Sequence, residues 1–200
     1  MQRLGLFGGS FDPVHLGHLL VAQAAREELA LTRLFFIPAA QSPFKPESNP
    51  APPNERLRLL RLALAGQPWC EVDEQEIQRG GISYTVETVR DYARRFPEAR
   101  LLYLIGADHL GQLPKWRLAE ELARLAEFVV IPRPGPAAAA PPPDLAAAPL
   151  PAPFCGRGLA GFPLGVSSSR IRARVKAGLP IEPLVPAAVA EAIRNNRLYL

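Results

Sequence analysis

The feature that most constrains this chain is a junction near its start. An apolar run, Arg3-Leu-Gly-Leu-Phe7, stops at Gly8-Gly9, and Leu16 to Leu29 then carries Leu16, Leu20 and Ala24 on one helical face. No Gly or Pro interrupts that stretch after Gly17. The pattern predicts a buried strand, a tight turn and a helix. A glycine pair at such a turn lets backbone amides approach an anion closely. The helix start adds free amides and the positive end of its dipole at the same place.

The same alternation continues along the chain. Leu34-Phe-Phe-Ile37 reads as a second strand stopped by Pro38, followed by a Pro-rich loop from Ser42 to Pro53. Asn54 is expected to cap a helix carrying Leu57, Leu60 and Leu64, and Cys70-Glu-Val72 reads as a short strand. Thr85 is expected to cap the next helix, with Val89, Tyr92 and Phe96 inward. Arg100 to Ile105 is a strand closed by Gly106, Trp116 to Leu125 a helix, and Phe128 to Ile131 another strand. Ser167 to Arg170 opens a short helix with Ile171 and Val175 inward, ended by Gly178, and a last helix runs from about Ala187 to Asn195. Strands alternating with helices predict an α/β fold. The expected form is a Rossmann-like, doubly wound parallel sheet with right-handed crossovers, helices on both faces and a small C-terminal helical part.

Composition sets the frame for that fold. A chain of 200 residues can bury roughly 70% of its unfolded surface, enough for one domain over 1–200. Its 48% apolar and 21% charged residues exclude a disordered or fibrous class. No apolar run approaches the roughly 18 residues of a membrane span, and two cysteines are too few for a disulfide framework. A cytoplasmic location is expected. The net charge of +4 comes from Arg interleaved with Glu, as in Ala25 to Leu29 and Glu55 to Arg58, and is read as solvated helix faces. No basic block appears, so neither nucleic acid nor membrane is expected as a partner. Nine of the 23 prolines lie between Pro132 and Pro153. The Pro/Ala-rich segment 134–163 is therefore expected to be an extended, mobile surface insertion, ahead of a C-terminal part over 166–200.

The densest chemical signal is Gly8-Gly-Ser-Phe-Asp-Pro-Val-His15-Leu-Gly-His18. His15 and His18 are three apart at a helix start, so both imidazoles share a face. Two such donors suit a polyphosphate whose charge grows at a bridging oxygen during transfer. A His-x-x-His pair alone also fits core packing or a metal site. The strand, the glycines, Pro13 and Gly17 around this one point to nucleotide binding. It is neither a Walker A loop nor the Gly-x-Gly-x-x-Gly dinucleotide turn. A second element, Val166-Ser-Ser-Ser-Arg-Ile-Arg172, offers hydroxyls at a helix start and an arginine one turn in.

These two elements resemble the His-x-Gly-His and Ile-Ser-Ser-Thr-x-Ile-Arg motifs of the nucleotidyltransferase superfamily. Further segments match, in order, the bacterial nicotinate-nucleotide adenylyltransferase family. They are Ile82-Ser-Tyr84-Thr85-Val-Glu-Thr88, Leu104-Ile-Gly106-Ala-Asp108, Trp116, Val130-Ile-Pro-Arg133-Pro-Gly135 and the ending Leu184-Val-Pro…Asn196-Arg-Leu-Tyr199. The resemblance implies transfer of adenylate from ATP to nicotinate mononucleotide by direct attack at the α-phosphate, with no covalent enzyme intermediate. Mg²⁺ would enter on the triphosphate, and no protein-held metal is expected. Gly8, Gly9, Ser10, Phe11, His15, His18, Gly106, Asp108, Ser168 and Arg172 would form the ATP site. Within it, His15, His18, Arg172 and a mobile Lys45 would serve the reacting phosphates. Trp116 would stack on the pyridine ring of the acceptor. The backbone amides of Thr85 and Arg117 would bind its carboxylate, with Tyr84 beside them. Asp108 would take a ribose hydroxyl or a metal-bound water, and Arg133 a phosphate. His109 is left without a role, and a homo-oligomer is compatible with the sequence. Two alternatives remain open: phosphopantetheine adenylyltransferase, typically shorter and not expected to carry the Tyr84-Thr85 and Trp116 segments, and a nucleotide sensor without turnover.

Overall fold

The computed structural model describes residues 1–44, 50–132, 150–161 and 164–200. Among these, six strands form one all-parallel sheet: β1 (Arg3–Gly9), β2 (Arg33–Pro38), β3 (Cys70–Val72), β4 (Arg100–Gly106), β5 (Glu127–Ile131) and β6 (Gly156–Gly158). Their order is β3-β2-β1-β4-β5-β6. This is the doubly wound order in which the chain leaves the two central strands in opposite directions. The helices are α1 (Leu16–Leu29), α2 (Pro53–Leu64), α3 (Gln75–Arg79), α4 (Thr85–Arg95), α5 (Ala119–Leu125), α6 (Ser168–Lys176) and α7 (Ala187–Asn195), with a 3-10 helix at Ala107–Lys115.

The strands are apolar on both faces because each face has its own core. Phe7 of β1, Leu34 and Phe36 of β2, Leu102 and Leu104 of β4 and Val129 of β5 face α1, α2, α6 and α7. The alternate residues, Leu4 and Leu6, Phe35 and Ile37, Leu101, Tyr103 and Ile105, and Phe128, face α4 and α5. Burying each such side chain contributes about 1.5–3 kcal/mol. A slip of one residue would exchange the two sets and misfit both layers, so the register is strongly specified.

Four local expectations are corrected. The helix expected to be capped by Asn54 starts at Pro53, with Pro52 in the cap position, because proline's fixed φ suits a first turn. Thr85 is the first residue of α4 rather than its cap, which is Tyr84. The helix expected from Trp116 begins only at Ala119, because Leu118 adopts a left-handed backbone (φ 53°) and the preceding stretch is wound as the 3-10 helix. Finally, the expected surface insertion over 134–163 is interrupted by structure. Residues 156–158 add β6 to the sheet edge, and Phe154 and Leu159 beside them are buried. A Cβ at Gly156 would lie 1.8 Å from the Phe128 carbonyl oxygen, so this close pairing demands glycine. Residues 134–149, 162 and 163 of that segment lie outside the described residues.

Candidate active site

The sheet opens where its two central strands part. The β1–β4 ladder ends at Phe7 and Leu104, whereas β1 continues along β2 to Gly9 and β4 continues along β5 to Gly106. Beyond that point the chain passes from β1 to one face and from β4 to the other. A crevice results at the carboxyl ends of the strands, the usual ligand position in such sheets. Gly8 lies at its edge. A Cβ there would sit 2.3 Å from the Tyr103 hydroxyl, so the bare backbone is what lets β4's tyrosine reach across.

His15 caps α1 with an extended backbone and is buried. Its ring stacks on that of His18, with centroids 3.7 Å apart and planes 20° from parallel. The His15 backbone N–H donates to His18 Nδ1 at 3.1 Å. An accepting Nδ1 puts the proton of the neutral ring on Nε2, so His18 is set as a donor at that nitrogen. Phe11 and Phe7 meet the same ring edge-on at 5.0 and 5.9 Å. The Phe11 ring is thus buried packing beneath His18, and only the backbone of that residue remains to meet a ligand.

The expectation of free amides at the start of α1 is also corrected. Leu16 N–H donates to the Leu184 carbonyl at 3.0 Å, and His18 N–H to the His15 carbonyl at 2.9 Å. With the His15 N–H on His18, three of the four amides from His15 to His18 are engaged within the protein. Docking of the C-terminal part takes the Leu16 amide, and the turn's own residues take the other two. Side chains therefore dominate as donors here.

The second motif lands on the first. Ser167 caps α6, accepting from Arg170 N–H. Ser168 Oγ donates to the Pro13 carbonyl at 2.9 Å, and Arg172 Nη1 to the Asp12 carbonyl at 2.7 Å. Arg172 and the histidine turn, 154 residues apart from His18 to Arg172 (172 − 18), are brought to one loop. Ser10, in the same loop, is exposed.

Sequence reasoning missed what holds this loop. Arg56, read as part of a solvated helix face, is 1% exposed. Its Nη1 donates to the carbonyls of Ser10 (2.9 Å) and Ala39 (2.8 Å), and its Nε to that of Ala51 (3.1 Å). It ties the exits of β1 and β2 to the start of α2. Burial pushes its guanidinium below the usual arginine range, opposed by the charges of Asp12 and Tyr199. A signal existed: Arg56 lies three and four residues before the buried Leu59 and Leu60, on the apolar stripe of α2. Asp12 and Tyr199 likewise lie within the sequence motifs, where no role is expected of them. Asp12 is 4% exposed, and its Oδ1 accepts from Tyr199 Oη at 2.8 Å and from Ala51 N–H at 3.1 Å.

Across the crevice lie the residues expected to meet an acceptor. Thr85 Oγ1 is 3.4 Å from Tyr103 Oη, the hydroxyl that abuts Gly8, so this motif borders the phosphate loop. As the first residue of α4, Thr85 has an amide with no intrahelical partner. The Arg117 guanidinium lies 4.5 Å over the Tyr84 ring and donates to Glu87 at 3.1 Å. Trp116 packs against Phe44 (centroids 5.7 Å), Tyr103 (6.2 Å), Phe128 (6.2 Å) and His109 (6.4 Å), and its buried Nε1 has no hydrogen-bond partner. His109 is thus part of an aromatic cluster. Asp108 is exposed just past β4, with His109 Nε2 3.8 Å away, and Gly106 ends that strand. Behind this region Glu76, buried under α4, accepts from Thr88 Oγ1 at 2.6 Å. Ser83 Oγ accepts from Ala40 N–H at 2.9 Å. Burial raises the Glu76 carboxyl above its ordinary value, against hydrogen bonds from Thr88 and Ser83.

Lys45 and Arg133 lie outside the described residues. Among the described residues no three His, Cys, Asp or Glu side chains are grouped to hold a metal, and no helix is long and apolar enough to cross a membrane. The donors that converge on the loop are imidazole, hydroxyl and guanidinium, a set suited to anions rather than to a cation.

The sheet order, the glycine turn, and the stacked histidines on a loop that Arg172 also bonds define a phosphate-handling α/β nucleotide-binding protein. Comparison narrows the class. The model of the cytidylyltransferase-like family matches residues 6–174. A protein named probable nicotinate-nucleotide adenylyltransferase from Opitutus terrae is 40% identical over 99% of this chain and 98% of its own length. A relative of the same name from Gemmatimonas aurantiaca is 43% identical over 99% of this chain and 92% of its own. The chain belongs to the cytidylyltransferase-like family and, within it, to the nicotinate-nucleotide adenylyltransferases. The solved structure of Plasmodium falciparum nicotinic acid mononucleotide adenylyltransferase complexed with NaAD shares the fold, with a TM-score of 0.76 at 13% identity over 100% of this chain and 98% of that one.

Proposed function

We propose that the protein joins nicotinate mononucleotide to the adenylate of MgATP, giving nicotinate adenine dinucleotide and pyrophosphate, as a step of NAD biosynthesis. The observation that carries this reading is the meeting of two distant motifs on one loop. Ser168 and Arg172 bond the carbonyls of Pro13 and Asp12, beside the stacked His15 and His18, where the sheet parts. A phosphate oxygen of the mononucleotide attacks the α-phosphorus in line, the bond to the α,β-bridging oxygen breaks, and pyrophosphate carries off the electron pair. Nothing in this displacement needs a protein nucleophile. His18 Nε2–H, His15 and Arg172 offer donors to the charge that grows on the bridging and non-bridging oxygens, so catalysis is alignment plus charge neutralisation.

On the acceptor side, Trp116 offers a face to the pyridine ring. The amides of Thr85 and Arg117 suit a carboxylate better than a carboxamide, whose NH₂ would face their N–H groups. Asp108, past the carboxyl end of β4, suits a ribose hydroxyl. Both substrates are charged metabolites that do not cross a bilayer unaided, so the reading carries a cytoplasmic location with it.

The test is pyrophosphate release with MgATP and a panel of nicotinate mononucleotide, nicotinamide mononucleotide and phosphopantetheine. Release is expected with the first, far faster than with the others. Release with phosphopantetheine would move the substrate assignment, and ATP binding without release in any arm would make the protein a sensor.

A further inference from the structure

Asp12 is the point at which three separate segments meet. Its carboxylate is almost wholly enclosed, with 6% of its side chain accessible. Oδ1 accepts from Tyr199 Oη at 2.8 Å and from Ala51 N–H at 3.1 Å. Oδ2 lies 3.6 Å from Arg172 Nη1, and the same nitrogen donates to the Asp12 carbonyl at 2.7 Å. Tyr199 itself has a left-handed backbone, φ 66°, which a ring-bearing residue adopts at a cost of roughly 1–2 kcal/mol. Its hydroxyl reaches the carboxylate from a strained turn beyond α7.

The distances differ in a way that matters chemically. A free carboxylate beside a guanidinium settles into a paired, often bidentate contact near 2.8 Å. Here one oxygen is saturated by two neutral donors, and the other stands off from Arg172. The guanidinium is anchored to a neutral carbonyl and oriented, but its charge is not taken up by a close ion pair. About a third of the Arg172 side chain, 36%, remains accessible for an anion.

We propose that Tyr199 is a positioning residue for the adenylyl-transfer site. Its hydroxyl holds the Asp12 carboxylate back from Arg172, so that the guanidinium stays on the Asp12 carbonyl and the carboxylate does not capture it. The inference rests on the functional reading above in assigning Arg172 to the phosphates of ATP. Removing the hydroxyl frees Asp12 to turn toward Arg172 and compete with the triphosphate.

The experiment compares the full chain with its Tyr199→Phe variant, which keeps the ring and its packing. MgATP affinity is measured without acceptor, and turnover with MgATP and nicotinate mononucleotide. A loss of ~10-fold in kcat/KM for MgATP is expected, the scale of a modest misplacement near the chemistry. The KM for the mononucleotide should stay within about twofold. A purely structural role cannot produce the second signature, a rescue. Adding Asp12→Asn to Tyr199→Phe removes the competing charge and should recover part of the lost MgATP affinity. The idea is overturned if Tyr199→Phe binds and uses MgATP like the parent, or if the double variant is weaker than the single one. Should the parent release no pyrophosphate, the functional reading fails on its own. The binding comparison still decides the role of Tyr199.

Discussion

The two walls of the crevice are built on different physics. The wall beneath β1 is cross-linked by directional hydrogen bonds: Arg56 to three carbonyls, Arg172 and Ser168 to two more, and Tyr199 to Asp12. The wall beneath β4 is an aromatic cluster in which Trp116 meets four rings at centroid distances of 5.7–6.4 Å. Hydrogen bonds fix positions to tenths of an ångström and lose energy steeply with angle. Ring contacts tolerate wider adjustment. Donors that must meet charge only as it develops gain from the first arrangement, and a flat ring that must be admitted and released gains from the second. Damage to the first wall should therefore appear in kcat and in the use of MgATP, and damage to the second mainly in acceptor affinity.

The largest effect is expected at His18. His18→Ala should lower kcat by ~10²-fold or more, as for loss of one preorganised transition-state donor, with an unchanged circular-dichroism spectrum. An unaltered kcat would remove His18 from the reacting centre. Next comes Trp116→Ala, where loss of a stacking face worth roughly 1–3 kcal/mol should raise the KM for nicotinate mononucleotide about tenfold. MgATP affinity should not move, and equal weakening of both nucleotides would erase the distinction between the walls.

The smallest effect concerns Glu76, and its sign follows from burial. Folding raises this carboxyl above 4.5, so the folded state holds the proton more tightly than the unfolded one. Its contribution is complete below pH 4.5 and is lost as the pH rises through the folded value. Glu76→Gln keeps an acceptor for Thr88 and carries no charge to bury. The variant should match the parent in thermal melting at the acid end and exceed it at neutral pH. The gain should grow as the pH rises through the folded value, because only then does the parent have a buried charge to carry. A variant that melts lower at neutral pH would mean the ionised carboxylate is stabilising where it sits.

Periodicity made the elements that build the sheet legible. β1, β2, β4 and β5 are apolar runs bounded by Gly or Pro, and α1 and α7 run over Leu16–Leu29 and Ala187–Asn195 as their spacing predicts. The weaker β3 at Cys70–Val72 was also readable. What escaped was decided by partners. The strand β6 has three residues, Gly-Arg-Gly, with no periodic signal, and exists because the edge of β5 accepts it. The 3-10 helix at Ala107–Lys115 and the delayed start of α5 depend on a left-handed Leu118 that no propensity favours.

The candidate site divides in the same way. The amino-acid sequence by itself determined which groups could handle phosphate, because Gly-Gly after a strand and His-x-Gly-His at a helix start are local arrangements set by neighbouring residues. It also determined that the sheet is parallel and covered on both faces, since unbroken apolar strands need two cores. Only the tertiary structure decided that Arg172 and Ser168 close on Asp12 and Pro13, that Arg56 is an internal strut rather than a surface cation, and that Tyr199 reaches Asp12 across 187 positions. Those are matters of which backbone carbonyls and carboxylates are left without partners once the layers pack. A hydrogen-bonding group in a closed interior must find its complement wherever the fold happens to place one.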